Sequence, residues 1–192
     1  MLPLLLASSS VYRRDLLSRL RLPFTCSSPD IDESHRPGEP ALELVKRLSL
    51  EKAQALAASH PAHLIIGSDQ VAVLNDQIIG KPHTFDKARQ QLLNASGASV
   101  SFLTGLTLLN SQTGEYETDC IPLTVHMRTL TTEQIERYLH AEQPYDCAGS
   151  FKAEGLGVSL FQRTEGDDAT SLVGLPLIRL VDMLLAQGVA IP

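Results

Sequence analysis

The sequence predicts an α/β protein with a mixed β-sheet flanked by helices. Apolar runs of strand length alternate along the chain with stretches in which apolar residues recur at helical spacing. Several of the predicted strands are joined by short turns, which is typical of antiparallel hairpins, so a mixed sheet fits better than a purely parallel one. A length of 192 residues indicates one domain of ordinary size or two closely joined lobes.

The first half of the chain is predicted to alternate between strands and helices. Ser10 is a suitable N-cap, because its hydroxyl can accept a hydrogen bond from a free N–H of the first helical turn. The apolar residues of 41–57 follow the i, i+3, i+4, i+7 spacing of one helix face. The predicted elements are, in order, a strand at 4–8, a helix at 12–20, a Pro- and Gly-rich loop at 29–40, a helix at 41–57, a strand from 64, a turn at 75–76 and a short strand at 78–79.

The second half continues in the same way. Thr131 followed by Gln134 is a capping-box pattern, in which each side chain bonds to the backbone N–H of the other residue. Pro176 opens the last helix, where a missing N–H is tolerated. The predicted elements are a helix around 85–92, strands at 100–109 and 116–127 joined by a turn at 111–114, a helix after 131, a strand at 157–161 and a helix from 176.

Composition and charge narrow the classes of function. The net charge of −6 argues against nonspecific nucleic-acid binding, which depends on basic surface, but it leaves room for a small polyanionic ligand in one positive site. No apolar run approaches the length of about 20 residues that a membrane-spanning helix needs. MLPLLLASSS lacks the basic start of a signal peptide, so we expect a structural strand there. The chain is predicted to bind neither nucleic acid nor membrane.

The cysteines indicate a reducing compartment. Cys26, Cys120 and Cys147 are odd in number, far apart in sequence and outside any CxxC motif. This pattern predicts free thiols rather than disulfides or a structural zinc site. The protein is therefore expected to be cytoplasmic.

Polar residues stand where predicted strands end. Asp69 follows the apolar residues 64–66 after two small residues, and a carboxylate there costs stability unless something pairs with it. Ser8 and Arg13 lie at the first strand-to-helix junction, where free N–H groups and the helix dipole favour an anion. This pattern predicts a polar ligand site at the strand ends.

Further carboxylates and cations could join this site. Asp32 and Glu33 lie in the Pro- and Gly-rich loop at 29–40, Lys52 lies within a helix, and Lys81 follows a glycine in a turn. Such a set suits metal-assisted phosphoryl chemistry, in which carboxylates hold Mg²⁺ and cations hold phosphate oxygens. Simpler interpretations are also open at this point: the acidic pair as solvated loop charges, Lys52 as a surface lysine paired one turn away, and Ser8 as a turn former.

Three other motifs are disfavoured. Gly80-Lys81 does not fit a phosphate-binding P-loop, because Pro82 stands where a Ser or Thr should bind the metal. His60 and His63 have no third zinc ligand nearby in sequence. Cys147 follows His140 by seven positions, but nothing in the sequence signals an activated thiol, so an inert cysteine is favoured.

Eight motifs spread over nearly the whole chain resemble the Maf family of nucleoside triphosphate pyrophosphatases, which is related in fold to inosine triphosphatases. In order they are LASSSVYRRDLL, the acidic pair in DIDES, EKA, GSDQV, GKP, TG, CAGSFKAEG and VGLPL. The resemblance implies a single domain over 1–192 in two lobes, with a central cleft for a nucleotide and a divalent cation. The fold class alone would not have indicated this function.

The resemblance also implies a role for each matched residue. Asp69 resembles the family's proton acceptor, which activates or orients water for attack on the α-phosphorus. Glu33 and Asp69 match metal-site carboxylates for Mg²⁺, Mn²⁺ or Co²⁺. The residues that match triphosphate-binding positions are Ser8, Arg13, Lys52 and Lys81.

Three positions separate the branches of the family, and here they are Tyr12, Gln70 and Glu154. They resemble the branch that hydrolyses 7-methyl-GTP, although that branch is expected to have Trp where this chain has Tyr12. The alternatives are the branch that acts on dTTP and UTP, which typically has Arg, Thr and Gln at these positions, and a nucleotide-binding regulator of septum formation. The sequence leaves the oligomeric state open, a homodimer included.

Overall fold

The computed structural model describes residues 2–192 and has the predicted α/β character. Its five α-helices and seven strands follow one another along the chain. In order they are β1 (Leu4–Ala7), α1 (Val11–Ser18), β2 (Phe24–Ser27), α2 (Ala41–Ala55), β3 (Leu64–Leu74), β4 (Gln77–Ile79), α3 (Phe85–Ala95), β5 (Ser99–Asn110), β6 (Tyr116–Met127), α4 (Thr132–Glu142), β7 (Phe161–Glu165) and α5 (Leu177–Ala186). Short 3₁₀ turns lie at Ala148–Ser150, Leu156–Leu160 and Ala169–Val173.

The strands form one mixed sheet, which confirms the predicted fold class. The strand order is β2-β1-β3-β5-β6-β7, and β4 pairs with β3 outside this path. β1 is parallel to both β2 and β3, whereas β4 is antiparallel to β3 and β7 is antiparallel to β6. The short β3–β4 turn places Asn75 and Asp76 at positive φ, as a tight hairpin requires.

The chain divides into two compact units. Unit 1 comprises residues 2–70, Thr104–Ile121 and Asp168–Pro192, and unit 2 comprises Val71–Leu103 and Pro122–Asp167. Each of β3, β5 and β6 contributes residues to both units. No helix among residues 2–192 combines the length and the hydropathy that a membrane crossing requires.

The core of unit 1 lies on both faces of its parallel strands. Because side chains alternate along a strand, Leu4 and Leu6 of β1 belong to one buried cluster, and Leu5 and Ala7 belong to another. The first cluster includes residues of α1 and α5, and the second includes residues of α2. The parallel part of the sheet is thus covered by helices on both faces, which explains why β1 is apolar throughout.

The core of unit 2 contains three contacting aromatic rings. Phe151 meets Phe102 edge-on at 5.3 Å between ring centroids, and it meets Phe161 in the same manner at 4.7 Å. Edge-to-face contacts of this kind are the preferred geometry of aromatic pairs. They join β5, β7 and the segment before β7.

One predicted strand was wrong, and one strand of the structure was missed. The strand predicted at 157–161 is a 3₁₀ turn at Leu156–Leu160, and β7 begins only at Phe161. A side chain at Gly157 would place its Cβ 2.2 Å from the backbone oxygen of Lys152, so this glycine permits a compact turn rather than an extended strand. β2 was not predicted, because its sequence, FTCS, is short and has no apolar run.

Candidate active site

Asp69 lies inside β3 rather than at the end of a strand, because β3 continues to Leu74. It is buried, with 7% of its surface exposed. Two positions earlier, a Cβ on Gly67 would lie 2.0 Å from the backbone oxygen of Ser49 in α2. Glycine at this position therefore lets β3 pass close to α2, the helix that carries Lys52.

Lys52 joins two carboxylates. Its Nζ donates to Asp69 Oδ1 at 2.7 Å and lies 3.1 Å from Glu33 Oε1. Lys52 is 6% exposed, so the interpretation of it as a surface lysine is wrong. Glu33 reaches this pair from a largely exposed loop, so the interpretation of it as a merely solvated charge is also wrong. The three side chains form one charged cluster, which we call the Asp69 cluster.

Arg13 adds a second cation near the Asp69 cluster. Its Nε donates to the carbonyl oxygen of Gly174 at 2.8 Å. Burial lowers the pKa of the Arg13 guanidinium, while the negative charges of Asp69 and Glu33 raise it. An arginine stays protonated in proteins, so this side chain brings a permanent positive charge to the cluster.

The turn between β1 and α1 is held by two serines. Ser10 is the N-cap of α1, as predicted, and its hydroxyl accepts from Arg13 N at 3.4 Å. The hydroxyl of Ser8, which is buried, accepts from Ser10 N at 3.1 Å. Ser8 therefore does serve as a turn former, and the same bond fixes its oxygen at the start of the helix that carries Tyr12 and Arg13.

Gln70 contacts a short segment, residues 171–174, that precedes α5. Its amide nitrogen donates to Ser171 O at 2.7 Å and also lies 3.0 Å from Thr104 Oγ1 and 3.3 Å from Leu172 O. Two of these three acceptors are carbonyl oxygens, so the nitrogen must face them and the Gln70 carbonyl oxygen faces away. The atom that Gln70 can offer to a ligand is therefore an acceptor.

Sequence reasoning missed two residues that support this segment. The Ser68 hydroxyl lies 2.8 Å from Gly105 O and 2.9 Å from Gly174 O, and Thr104 donates to Ser171 O at 3.0 Å. Both residues fall within motifs that were noticed, GSDQV and TG, but nothing in those letters shows which backbone they bind. The two hydroxyls, together with Gln70 and Arg13, attach residues 171–174 to β3, β5 and α1.

Lys81 and Glu154 lie in unit 2, and both are exposed. Glu154 lies between Lys152 and Leu156, whose backbone N–H groups both bond to side chains of α4. Tyr138 OH accepts from Lys152 N at 3.0 Å, and Glu142 Oε2 accepts from Leu156 N at 2.9 Å. The carboxylate of Glu154 is thus presented from a supported turn.

Cys147 is not an activated nucleophile. Burial, followed by the negative charge of Asp146, raises the pKa of its thiol to about 12. A thiol is nucleophilic only as the thiolate, so Cys147 is unreactive at neutral pH, as the sequence indicated. All three cysteines are free thiols in the structure, which confirms that prediction.

The donor set suits a divalent metal of the magnesium type. Asp69 and Glu33 offer hard carboxylate oxygens, and both contact the same cation, the Lys52 ammonium. Within residues 2–192, no group of three or more His, Cys, Asp or Glu side chains could hold a metal by itself. Mg²⁺ is commonly bound through one or two carboxylates, with substrate phosphates and water completing its shell, so two carboxylates are sufficient.

The chain is similar over almost its full length to proteins of one family. A family model described as "Maf-like protein" matches residues 3–187. A protein of Pseudomonas fluorescens named 7-methyl-GTP pyrophosphatase is 82% identical over 192 residues, which cover 100% of both chains. Proteins of the same name from Pseudomonas putida and Pseudomonas aeruginosa are 70% identical over 192 residues and 69% identical over 189 residues, covering 100% and 98% of each chain.

Proposed function

This chain belongs to the Maf family, and from that premise we propose that it is a nucleoside triphosphate pyrophosphatase that hydrolyses 7-methyl-GTP to 7-methyl-GMP and pyrophosphate. The relatives of that name match it over its full length. The structural observation that most supports turnover is the buried Asp69 held by Lys52 at 2.7 Å. A protein that only binds nucleotides has no need of a buried carboxylate beside its phosphate-binding cations.

Asp69 is assigned the role of general base. Lys52 donates to Oδ1, so Oδ2 is assigned as the proton acceptor. A water molecule gives up a proton to Asp69 while its oxygen bonds to the α-phosphorus. The bond from that phosphorus to the oxygen bridging to the β-phosphorus breaks, and pyrophosphate leaves with the bridging oxygen. Positioned general bases contribute about 10²- to 10⁴-fold to such reactions.

The family suggests a divalent metal in general, and Asp69 and Glu33 are the residues that would hold it. When bound, the metal would supply positive charge that neutralises the triphosphate. Arg13 and Lys52 are assigned to the phosphate oxygens, because Lys52 bonds to Asp69 and Arg13 is close enough to interact with its charge. For Ser8 this role rests on the LASSSVYRRDLL motif of the family. For Lys81 the same role rests on the GKP motif of the family.

Recognition of the guanine base is assigned to the three positions that separate the branches of the family, Tyr12, Gln70 and Glu154. Methylation at N7 gives guanine a delocalised positive charge, and an electron-rich ring such as that of Tyr12 gains a cation–π interaction with it. Guanine also presents N1–H and N2–H side by side, which suits a carboxylate acceptor such as Glu154. The outward carbonyl of Gln70 is a second acceptor, and uracil or thymine would leave such acceptors facing their own carbonyl oxygens.

Pyrophosphate release from a panel of nucleotides tests the proposal. Purified protein is incubated with 7-methyl-GTP, GTP, dTTP or UTP in the presence of Mg²⁺, Mn²⁺ or Co²⁺. We expect 7-methyl-GTP to have the highest kcat/KM, GTP a lower one, and the pyrimidine nucleotides the lowest, with activity lost in EDTA. A preference for dTTP or UTP would assign the chain to the other branch, and binding without any turnover would favour a regulator.

A further inference from the structure

The acidic loop places one carboxylate accurately although it has no regular structure. Residues 28–40, between β2 and α2, contain neither helix nor strand, and all of them are exposed or partly exposed. Glu33 is 57% exposed in its side chain, yet its Oε1 lies 3.1 Å from the buried Lys52 Nζ. A long side chain in a solvated loop does not hold such a position without support, because ordering it costs conformational entropy.

Arg47 of α2 provides a large share of that support. Its Nε and Nη2 donate to the two oxygens of Glu39 at 2.6 and 2.8 Å, a bidentate pair. Its Nη2 also lies 3.1 Å from the carbonyl oxygen of Ser34, the residue after Glu33. The side chains of Arg47 and Glu39 are only 13% and 10% exposed. We call Arg47 and Glu39 the loop clamp.

Glu39 closes the loop on itself from the other side. Its Oε2 accepts from the backbone N–H of Arg36 at 3.2 Å, and its own N–H donates to Arg36 O at 3.1 Å. Its carbonyl oxygen accepts from His35 Nε2 at 2.6 Å. Residues 34–39 thus form a compact turn, and the loop clamp fastens both ends of that turn to α2.

The same helix carries the loop clamp and the lysine of the Asp69 cluster. Arg47 and Lys52 are separated by five residues, which is about 7.5 Å along an α-helix. Arg47 is braced within α2 by Glu51 one turn later, whose Oε2 accepts from Nη1 at 3.0 Å. The rigid helix α2 therefore fixes the distance between Arg47, which holds the loop, and Lys52, which Glu33 contacts.

We propose that Arg47 is a positioning residue of the active site, which acts with Glu39 to hold the acidic loop so that Glu33 reaches Lys52 and Asp69. This inference rests on the proposed role of Glu33 in metal binding. Among residues 2–192, the hydrogen bonds of Arg47 go to Ser34, Glu39 and Glu51, which are loop and helix residues. Lysine could not replace Arg47, because a single ammonium cannot make the bidentate pair and reach Ser34 as well.

The order of the loop is measured first, without substrate. In Arg47→Lys, heteronuclear NOEs for the amides of Ser34, Arg36 and Glu39 should fall to values typical of a flexible loop, while those of α2 stay high. Arg36→Lys is the matched control, since it makes the same change at the exposed rim, where Arg36 Nη2 contacts Glu51 Oε1 at 3.1 Å. Unchanged NOEs in Arg47→Lys would overturn the proposal.

A double-mutant cycle then tests whether Arg47 acts through Glu33. We expect Arg47→Lys to lower kcat/KM for 7-methyl-GTP about tenfold in the wild-type background and less than about twofold in the Glu33→Gln background. Arg36→Lys should change neither value. Equal losses in both backgrounds would mean a general structural effect and would overturn the proposal. Should the wild type fail to hydrolyse 7-methyl-GTP, the proposed function is wrong, and the NOE measurement still decides the role of the loop clamp.

Discussion

At the scale of single residues, Lys52 and Asp69 stabilise each other in a place where neither could be buried alone. Removing one partner of a buried ion pair leaves the other charge without compensation, which is more costly than the pair itself is favourable. Glu33 gives Lys52 a second partner at 3.1 Å, so the ammonium stays paired when Asp69 engages a ligand. This arrangement makes Asp69 available for chemistry without unfolding its surroundings.

The variant Asp69→Asn should lose catalytic rate but keep most of its stability. The amide keeps an oxygen for Lys52 but cannot accept a proton, so kcat should fall by about 10²- to 10⁴-fold. The free energy of unfolding should fall by only about 1–3 kcal/mol, because the ion pair with Lys52 becomes a hydrogen bond in which only the ammonium is charged. Steady-state kinetics and urea unfolding measure the two effects. The same change at Asp15, an exposed residue of α1, is the control. More than about a tenth of the wild-type kcat in Asp69→Asn would contradict the assignment.

Tyr12 is expected to set the preference for the methylated base. In Tyr12→Ala, the ratio of kcat/KM for 7-methyl-GTP to that for GTP should fall by about two- to thirtyfold, the range of a cation–π interaction. Tyr12→Phe keeps a ring and should keep most of the ratio, whereas Tyr12→Trp should increase it. If all three variants share one ratio, the ring does not contact the base.

At the scale of elements, the sequence predicted best where local signals are strong. Thr131 and Gln134 form the capping box of α4 that their spacing indicated, with Gln134 Oε1 accepting from Thr131 N at 2.8 Å. Lys52 also had a signal, since it lies four positions after Leu48 on the buried stripe of α2. The loop clamp had none, because Arg47 and Glu39 meet through the path of an irregular loop that no periodicity describes.

Thr131→Ala should destabilise the protein through the start of α4. Loss of the hydroxyl leaves Gln134 N without its partner, which typically costs about 0.5–2 kcal/mol. Thermal unfolding should show a lower Tm for Thr131→Ala and a nearly unchanged Tm for Thr131→Ser, which keeps the hydroxyl. Both variants should keep the wild-type kcat, as Thr131 lies outside the Asp69 cluster. An unchanged Tm in the alanine variant would contradict the contribution of the cap.

At the scale of the whole molecule, stability against acid should depend on Glu39. Its hydrogen bond with Arg47 lowers the pKa of Glu39 from 4.5 to about 2. A folded-state pKa below the unfolded value means that the unfolded state binds the proton more readily, so this stabilisation is complete above about pH 4.5 and is lost as the pH falls towards 2.

Urea unfolding between pH 7 and pH 2 measures this contribution. The free energy of unfolding of the wild type should decrease over that acid window, and the decrease should be smaller in Glu39→Gln, which has no proton to bind. The difference between the two proteins should therefore be largest near neutral pH and should shrink in acid. A difference that is constant with pH would mean that Glu39 contributes only by packing.

Unit 1 is built from segments at both ends of the chain, with unit 2 between them, and this has a consequence during protein synthesis. The buried cluster of unit 1 joins Leu4 and Leu6 of β1 to Leu180 and Leu184 of α5. Unit 2 ends at Asp167, so a ribosome has translated all of its residues before it adds those two leucines. Until α5 emerges, the apolar side of β1 lacks its covering helix, and exposed apolar strands of nascent chains are prone to aggregate. The growing polypeptide should therefore be a substrate for chaperones that bind at the exit tunnel, and its need for them should end when α5 docks.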